Sequence, residues 1–302
     1  MSTYKMSFKD LRQSSEISEM LHALERGFEK FGIDYYLVGA VARDAWLTGV
    51  HGLEPRTTTR DIDFGILIDD KATYEALKKH LIDHEGFTQS SGNAFVLMYK
   101  GRMQVDLLPF GGIEEADGKV SSAGLGLTTI SLQGFYEVFE EELPILEIDG
   151  KHQFRFCTMP GIALLKIISW DDRPSIRFDD IKDIAHLLKH FYNIYEEEIW
   201  ENHNDLFGND VLPHEQFAAR VMGREMKKIA MRNQKLFDRI VFILDREIAD
   251  PNTSKMAELM LTSAEETIME KMEIINQLKL GFTESSIESN NTIPGNLQNK
   301  GQ

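Results

Sequence analysis

The chain has 302 residues, enough for about two domains of ordinary size. Its 33 Lys and Arg against 49 Asp and Glu leave a net charge of −16, which excludes general polyanion binding unless the few bases gather on one face. Hydrophobic residues at 42% and charged residues at 27% are ordinary globular usage and exclude wholesale disorder, while a single cysteine, Cys157, excludes an internal disulfide framework and a cysteine-based zinc site. The opening MSTYKMSFKDLRQ has no apolar signal region, and no apolar run reaches the ~18 residues of a membrane span, so a cytoplasmic protein is expected.

In chain order, Ile17, Met20, Leu21, Leu24 and Phe28 recur at three and four residues and predict an amphipathic helix ending at Gly32. Tyr35 to Val38 reads as a buried strand stopped by Gly39, and Ala40 to Leu47 as a short helix. Ile62, Phe64, Ile66 and Ile68 alternate with Asp61, Asp63 and Gly65, the period-two pattern of a half-buried strand. Lys71 to His84 has helical spacing. Ala94 to Tyr99 and Met103 to Phe110 predict two strands joined at Lys100-Gly101-Arg102, with further strand-like pieces at Leu127 to Leu132 and Gln153 to Cys157. After Pro160 the pattern turns helical, over Gly161 to Trp170, Asp179 to His190, Glu215 to Ile248 and Ser263 to Leu280. The last stretch, from Phe282 to Gln302, is rich in Ser, Asn, Gly and Gln and is expected to be disordered.

Three pieces of the first half carry chemistry. In LVGAVARD, Leu37 to Asp44, a strand runs through a glycine into a helix start, where backbone N–H groups can meet a phosphate; a plain strand-to-helix turn is the simpler alternative. In Arg60-Asp61-Ile62-Asp63-Phe64, residues two apart share a strand face, so the Asp61 and Asp63 carboxylates project together and call for a hard cation such as Mg²⁺, unless the face is merely an acidic edge. In Gln104-Val105-Asp106-Leu107-Leu108 one acid interrupts an apolar strand. It either points to solvent or joins the other two, and three carboxylates suit two-metal chemistry.

The order Gly39, Asp61-x-Asp63, Asp106 resembles the nucleotidyltransferase superfamily of polymerase β, with its glycine turn and two h-D-h strands. LVGAVARD is also similar to the LVGGAVRD element of CCA-adding and poly(A) polymerases, with Ala40 in place of the second glycine. Met159 to Arg173, followed by Arg177 to Ile184, looks like the lysine helix and the basic-acidic segments of AbiEii-like toxin nucleotidyltransferases, with His186 standing where that family has a second aspartate.

The resemblance implies an α+β fold with a mixed-sheet nucleotidyltransferase head over residues 1–158 and a helical domain over 159–281, while composition gives the disordered tail over 282–302. It implies Asp61, Asp63 and Asp106 as catalytic and Mg²⁺-binding residues, with Gly39, Ala40, Arg43 and Lys166 toward the NTP. Lys166 would act as a flexible point charge on the triphosphate. Transfer of a nucleoside monophosphate from an NTP to an acceptor hydroxyl follows, with a tRNA acceptor and an antitoxin protein as expected partners. A small molecule of aminoglycoside type is the alternative acceptor, and a nucleotide-binding protein without turnover is the non-enzymatic alternative.

Two further patterns bear on the acceptor. From Ala219 to Arg239 the bases Arg220, Arg224, Lys227, Lys228, Arg232, Lys235 and Arg239 fall at helical spacing, opposed only by Glu225 and Asp238. The segment thus carries +5 and the remainder −21, and Arg220, Arg224, Lys228 and Arg232 are the candidate RNA ridge, unless the bases pair with the acidic remainder. His80/His84 and His186/His190 stand four apart but lack a third ligand nearby in sequence, and read as solvated helix faces.

Overall fold

The structure, a computed structural model, describes residues 2–54, 56, 61–208 and 212–285. Strand β1 (Thr3–Met6) precedes α1 (Ile17–Phe31), which buries Ile17, Met20, Leu21, Leu24 and Phe28. Gly32, at φ +63°, ends the helix and returns its N–H to the carbonyls of Glu29 and Phe28. Strand β2 (Tyr35–Val38) leads directly into α2 (Gly39–Asp44), and the chain continues as a π-helical turn over Ala45–Val50, so the one short helix expected over Ala40 to Leu47 changes its winding at Ala45.

Then follow β3 (Ile62–Leu67), α3 (Lys71–His84), β4 (Phe87–Gln89), β5 (Val96–Tyr99) and β6 (Met103–Phe110). The strands β2 to β6 form one mixed five-stranded sheet in the order β2-β3-β6-β5-β4. β3 runs antiparallel to β2 and parallel to β6, so Val38 lies opposite Asp63, and Asp63 opposite Asp106. Phe64 and Phe28 pack edge to face, with ring centroids 5.8 Å apart, which seats α1 on one side of the sheet. Burying a side chain the size of Phe64 contributes about 2–3 kcal/mol, and this contact fixes which face of β3 is left for Asp63.

β7 (Lys119–Ser121) and β8 (Thr129–Ser131) form a two-stranded ribbon, and α4 (Phe135–Phe139) packs its aromatic side against Tyr36 and Phe110. β9 (Ile145–Ile148) and β10 (His152–Arg155) join β1 in a three-stranded sheet, β1 parallel to β9.

All remaining described elements are helical. α5 (Met159–Asp172) is buried on nearly every side from Met159 to Ile168, with Thr158 as its N-cap and Pro160 in its first turn. α6 (Phe178–Ile194) and α7 (Glu196–Asn202) precede α8 (His214–Ala230) and α9 (Gln234–Ala249). The single helix expected from Glu215 to Ile248 is therefore two. Asn233 interrupts it, its side-chain oxygen accepting from the N–H groups of Lys235 and Leu236 at 3.1 and 3.3 Å. The apolar period continues in phase through the break, so only the capping residue marks it.

α10 (Lys255–Met260) and α11 (Ile268–Thr283) are the last elements among the described residues. The expected start of disorder at residue 282 is corrected. Phe282 is fully buried and stacks on Phe237, and Glu284 accepts from Arg220 and Arg224. Residues 286–302, where the rest of that expectation falls, lie outside the described residues. Among the described residues no helix is long and apolar enough to cross a membrane. The architecture is α+β, a mixed-sheet head followed by helices, and one hydrophobic core runs through both.

Candidate active site

The site begins at the turn between β2 and α2. Gly39 sits at φ +64°, and a Cβ built there would stand 2.1 Å from Asp63 Oδ2. No other residue type meets both demands. The N–H of Ala40 donates to the Asp63 carboxylate. The turn expected to hold phosphate thus spends that N–H on positioning the acid, and α2 has only six residues.

Asp106 lies beside Asp63 in the β3–β6 register, and Gln104 Nε2 donates to Asp106 Oδ1 at 2.8 Å. Asp61 precedes the strand and faces the same cleft. Burial raises the pKa of all three acids; Asp63 adds its repulsion to Asp106, while Arg177 and Lys166 pull Asp63 partly back down. Carboxylates raised in this way by burial and mutual repulsion form a hard oxygen donor set suited to a divalent cation. Asp63 and Asp106 stand opposite each other in the β3–β6 register, and Asp61, two residues before Asp63, lines the same cleft.

The opposite wall comes from the helices. Lys166, Ser169 and Arg173 at the C-terminal end of α5, and Arg177 with Asp180 around the start of α6, line a cleft of about 370 Å³ that Gly39, Ala40, Asp61, Asp63 and Asp106 line from the sheet. Lys166 Nζ lies 2.7 Å from Asp180 Oδ1 and 2.9 Å from Asp183 Oδ2, and Arg177 Nε lies 2.6 Å from Asp180 Oδ2. Arg173 makes no salt bridge among the described residues, so its guanidinium is the cleft cation available to an anionic ligand.

Arg43 is corrected. The expectation placed it toward the nucleotide, but it is 1% exposed and bonds Asp44 at 2.8 Å and Asp183 Oδ2 at 2.7 Å behind the cleft. Asp183 also takes Arg56 Nε at 2.8 Å, and Lys166, Arg43 and Arg56 together hold its carboxyl down at about 2 against the burial that would raise it. This aspartate ties α2, α5 and α6 together.

The basic ridge is corrected in its geometry. Arg220 lies 2.5 Å from Glu284, and Arg224 lies 2.6 Å from Asp205 and also pairs with Glu284. Lys228 lies 2.6 Å from Glu225, and Arg232 pairs with Glu141. The four bases are divided between α8 and the turn after it; Lys228 pairs within its own helix, and the other three pair with acids brought in by the fold.

The cleft wall adds residues that were not singled out among the expected site residues: Gln104, Ser169, Arg173, Arg177, and also Asn93 and Ser131, whose buried hydroxyl has no partner. Arg173 and Arg177 lie inside the segment similar to the toxin family, so their proximity to Lys166 was the signal present. Asn93 comes from a loop, and Ser131 from a strand that was expected at Leu127 to Leu132 without any mark of a functional role.

No protein-family model matches the chain, and no curated protein matches it. Solved structures it is similar to include an antibiotic-resistance factor and CCA-adding enzymes. The antibiotic-resistance factor ANT(2'')-Ia shares 13% identity over 63% of this chain and 98% of its own, at a TM-score of 0.31. A CCA-adding enzyme in complex with CTP shares 12% identity over 90% of this chain and 72% of its own, at a TM-score of 0.30, and an apo form of a CCA-adding enzyme shares 12% over 91% and 73%, at 0.28. Likeness at this level leaves the chemistry to be read from the cleft's own residues.

Proposed function

We propose that the chain is a nucleotidyltransferase of the polymerase β type, moving a nucleoside monophosphate from an NTP to an acceptor hydroxyl with release of pyrophosphate. The observation that carries this reading is Asp63 beside Asp106 under the Gly39 turn, faced across one cleft by Lys166, Arg173 and Arg177. Acids on the sheet and bases on the helices suit a polyanionic substrate held between them. The cleft volume lies within the usual range of small-ligand sites, about 300–1,000 Å³.

Asp61, Asp63 and Asp106 would hold Mg²⁺, which when bound neutralises the half-buried carboxylates and polarises phosphoryl oxygens. Arg173 and Arg177 orient the polyphosphate by charge, with Lys166 behind them. Gly39 and Ala40 fix the Asp63 rotamer. The acceptor oxygen forms a bond to the α-phosphorus, the bond from that phosphorus to the bridging oxygen breaks, pyrophosphate leaves, and the hydroxyl proton passes to Asp106. Positioning and charge neutralisation supply most of the rate in such transfers. In this reading residues 1–158 form the transferase domain, and the helical domain that starts at 159 closes the cleft.

The similarity to AbiEii-like toxins supports an RNA acceptor, tRNA in particular, and an antitoxin partner. A cationic small molecule of aminoglycoside type is the second reading. It is favoured by the pairing of Arg220, Arg224, Lys228 and Arg232 with acids and by the four aspartates lining the cleft.

The test is incubation with each labelled NTP and Mg²⁺, with total RNA in one arm and an aminoglycoside panel in the other. Wild type should label one acceptor class and release pyrophosphate, and Asp61→Asn should fold and lose at least about 100-fold of that activity. Nucleotide binding without pyrophosphate release in either arm would replace the enzyme by a nucleotide-binding protein, and full turnover by Asp61→Asn would overturn the site.

A further inference from the structure

A second cluster of metal-ligating side chains lies away from the cleft, where α1 meets β10. Helix α1 places His22 and Glu25 three residues apart on one face, and β10 brings up His152, which is fully buried. His22 Nδ1 stands 3.1 Å from Glu25 Oε2, and His152 Nδ1 stands 3.0 Å from Glu25 Oε1. One ligand atom from each residue lies within 4.8 Å of the other two. A tetrahedral zinc ion with bonds of about 2.0–2.1 Å holds its ligand atoms roughly 3.3 Å apart, so small side-chain rotations close this set on an ion.

Two further features match what a metal site needs. His152 Nε2 lies 2.8 Å from Ser18 Oγ, the kind of outer hydrogen bond that fixes the tautomer and ring orientation of a metal-bound histidine. Phe8 and Phe154 pack on the His152 ring, with centroids at 5.9 and 6.0 Å, and hold it in place. His22 is 48% exposed at its side chain, which gives an ion an entry path and leaves a fourth position to water.

The comparable group Glu198, His203 and Glu225 lacks these features. There Lys228 lies 2.6 Å from Glu225, and Arg224 Nη1 lies 3.4 Å from His203 Nδ1, so cations already fill the space. Glu25 has no Lys or Arg salt bridge among the described residues.

We propose that His22, Glu25 and His152 bind one zinc-class divalent ion, with a water as fourth ligand, fastening α1 to the β1-β9-β10 sheet. The proposal is independent of the transferase reading, since none of these residues lines the cleft.

The test uses the full chain, stripped with chelator and kept in excess Mg²⁺ so that the aspartate cleft does not compete, with ZnCl₂ titrated by calorimetry and by thermal unfolding. Wild type should take up one equivalent saturably and gain thermal stability that grows with the logarithm of zinc concentration. His22→Ala and Glu25→Gln, both on the solvent side, should fold and bind zinc at least about 10-fold more weakly, while Asp61→Asn binds as wild type does. Absence of saturable uptake by wild type would overturn the site, as would unchanged affinity in His22→Ala and Glu25→Gln.

Discussion

A Cβ on Gly39 would lie 2.1 Å from Asp63 Oδ2, at a backbone φ of +64° that disfavours every L side chain. The glycine that ends β2 is therefore the reason Asp63 can face the cleft while its carboxylate accepts the Ala40 N–H. Gly39→Ala should cost about 1–3 kcal/mol in urea unfolding and remove transfer more completely than it removes structure. A Gly39→Ala variant with wild-type kcat would show that this contact does not position the acid.

Asp106 beside Asp63 is a repulsive half-buried pair, each carboxyl raised above its usual range by the loss of solvent. Asp106→Asn keeps an oxygen for Gln104 Nε2 and removes one of the two charges. In metal-free buffer its melting temperature should rise by roughly 2–4 °C, while transfer falls at least about 100-fold. The stabilisation that Mg²⁺ brings to wild type should shrink in the variant, which differential scanning measures directly.

Asp183 works in the opposite sense. Its carboxyl is held at about 2 by Lys166, Arg43 and Arg56, below the ordinary 3.8. A depressed folded-state pKa contributes stability above the unfolded value and loses it as pH falls through the folded one, so the contribution of roughly 2 kcal/mol is complete above about pH 4 and fades toward pH 2. Asp183→Asn should cost roughly 3 kcal/mol at neutral pH because it leaves the Arg43 guanidinium buried beside one acid fewer. The gap between variant and wild-type urea midpoints should narrow below pH 4. A gap that is constant from pH 7 to 2 would mean that the carboxylate charge does not carry the effect.

Arg173 lines the cleft without a salt-bridge partner among the described residues, whereas Lys166 and Arg177 are engaged with Asp180. Arg173→Ala should therefore raise the KM for NTP about 10-fold with a smaller change in kcat and in melting temperature, the pattern of lost substrate binding. Steady-state kinetics with the nucleotide varied would show it. A pure kcat effect would move Arg173 from binding to the chemical step.

Much of the site was legible because it sits on regular elements. The alternation of Ile62, Phe64 and Ile66 forces Asp61 and Asp63 onto the other face of β3, and a lone acid between Val105 and Leu107 had either to face water or to join them. Lys166 was legible only through the resemblance of Met159 to Arg173 to a lysine helix, since no period of its own marks it. The strands β1, β4, β7 and β9 went unread, and so did the break at Asn233, because the apolar spacing runs through it in phase.

What the amino-acid order determined alone was therefore the alternation, the glycine turn and the change to helical spacing after Pro160, since these are local consequences of side-chain direction and backbone freedom. Composition placed the charge at −16 and no more. The tertiary structure decided where that charge acts: it set Arg220 and Arg224 on Glu284, Arg43 on Asp183, and Asp63 beside Asp106. The arginine partners lie from 60 to 140 positions away in the chain, and an electrostatic interaction is set by distance in space, so no pattern of neighbouring residues announced them, and for Asp106 the strand pattern left two positions open between which the tertiary structure chose.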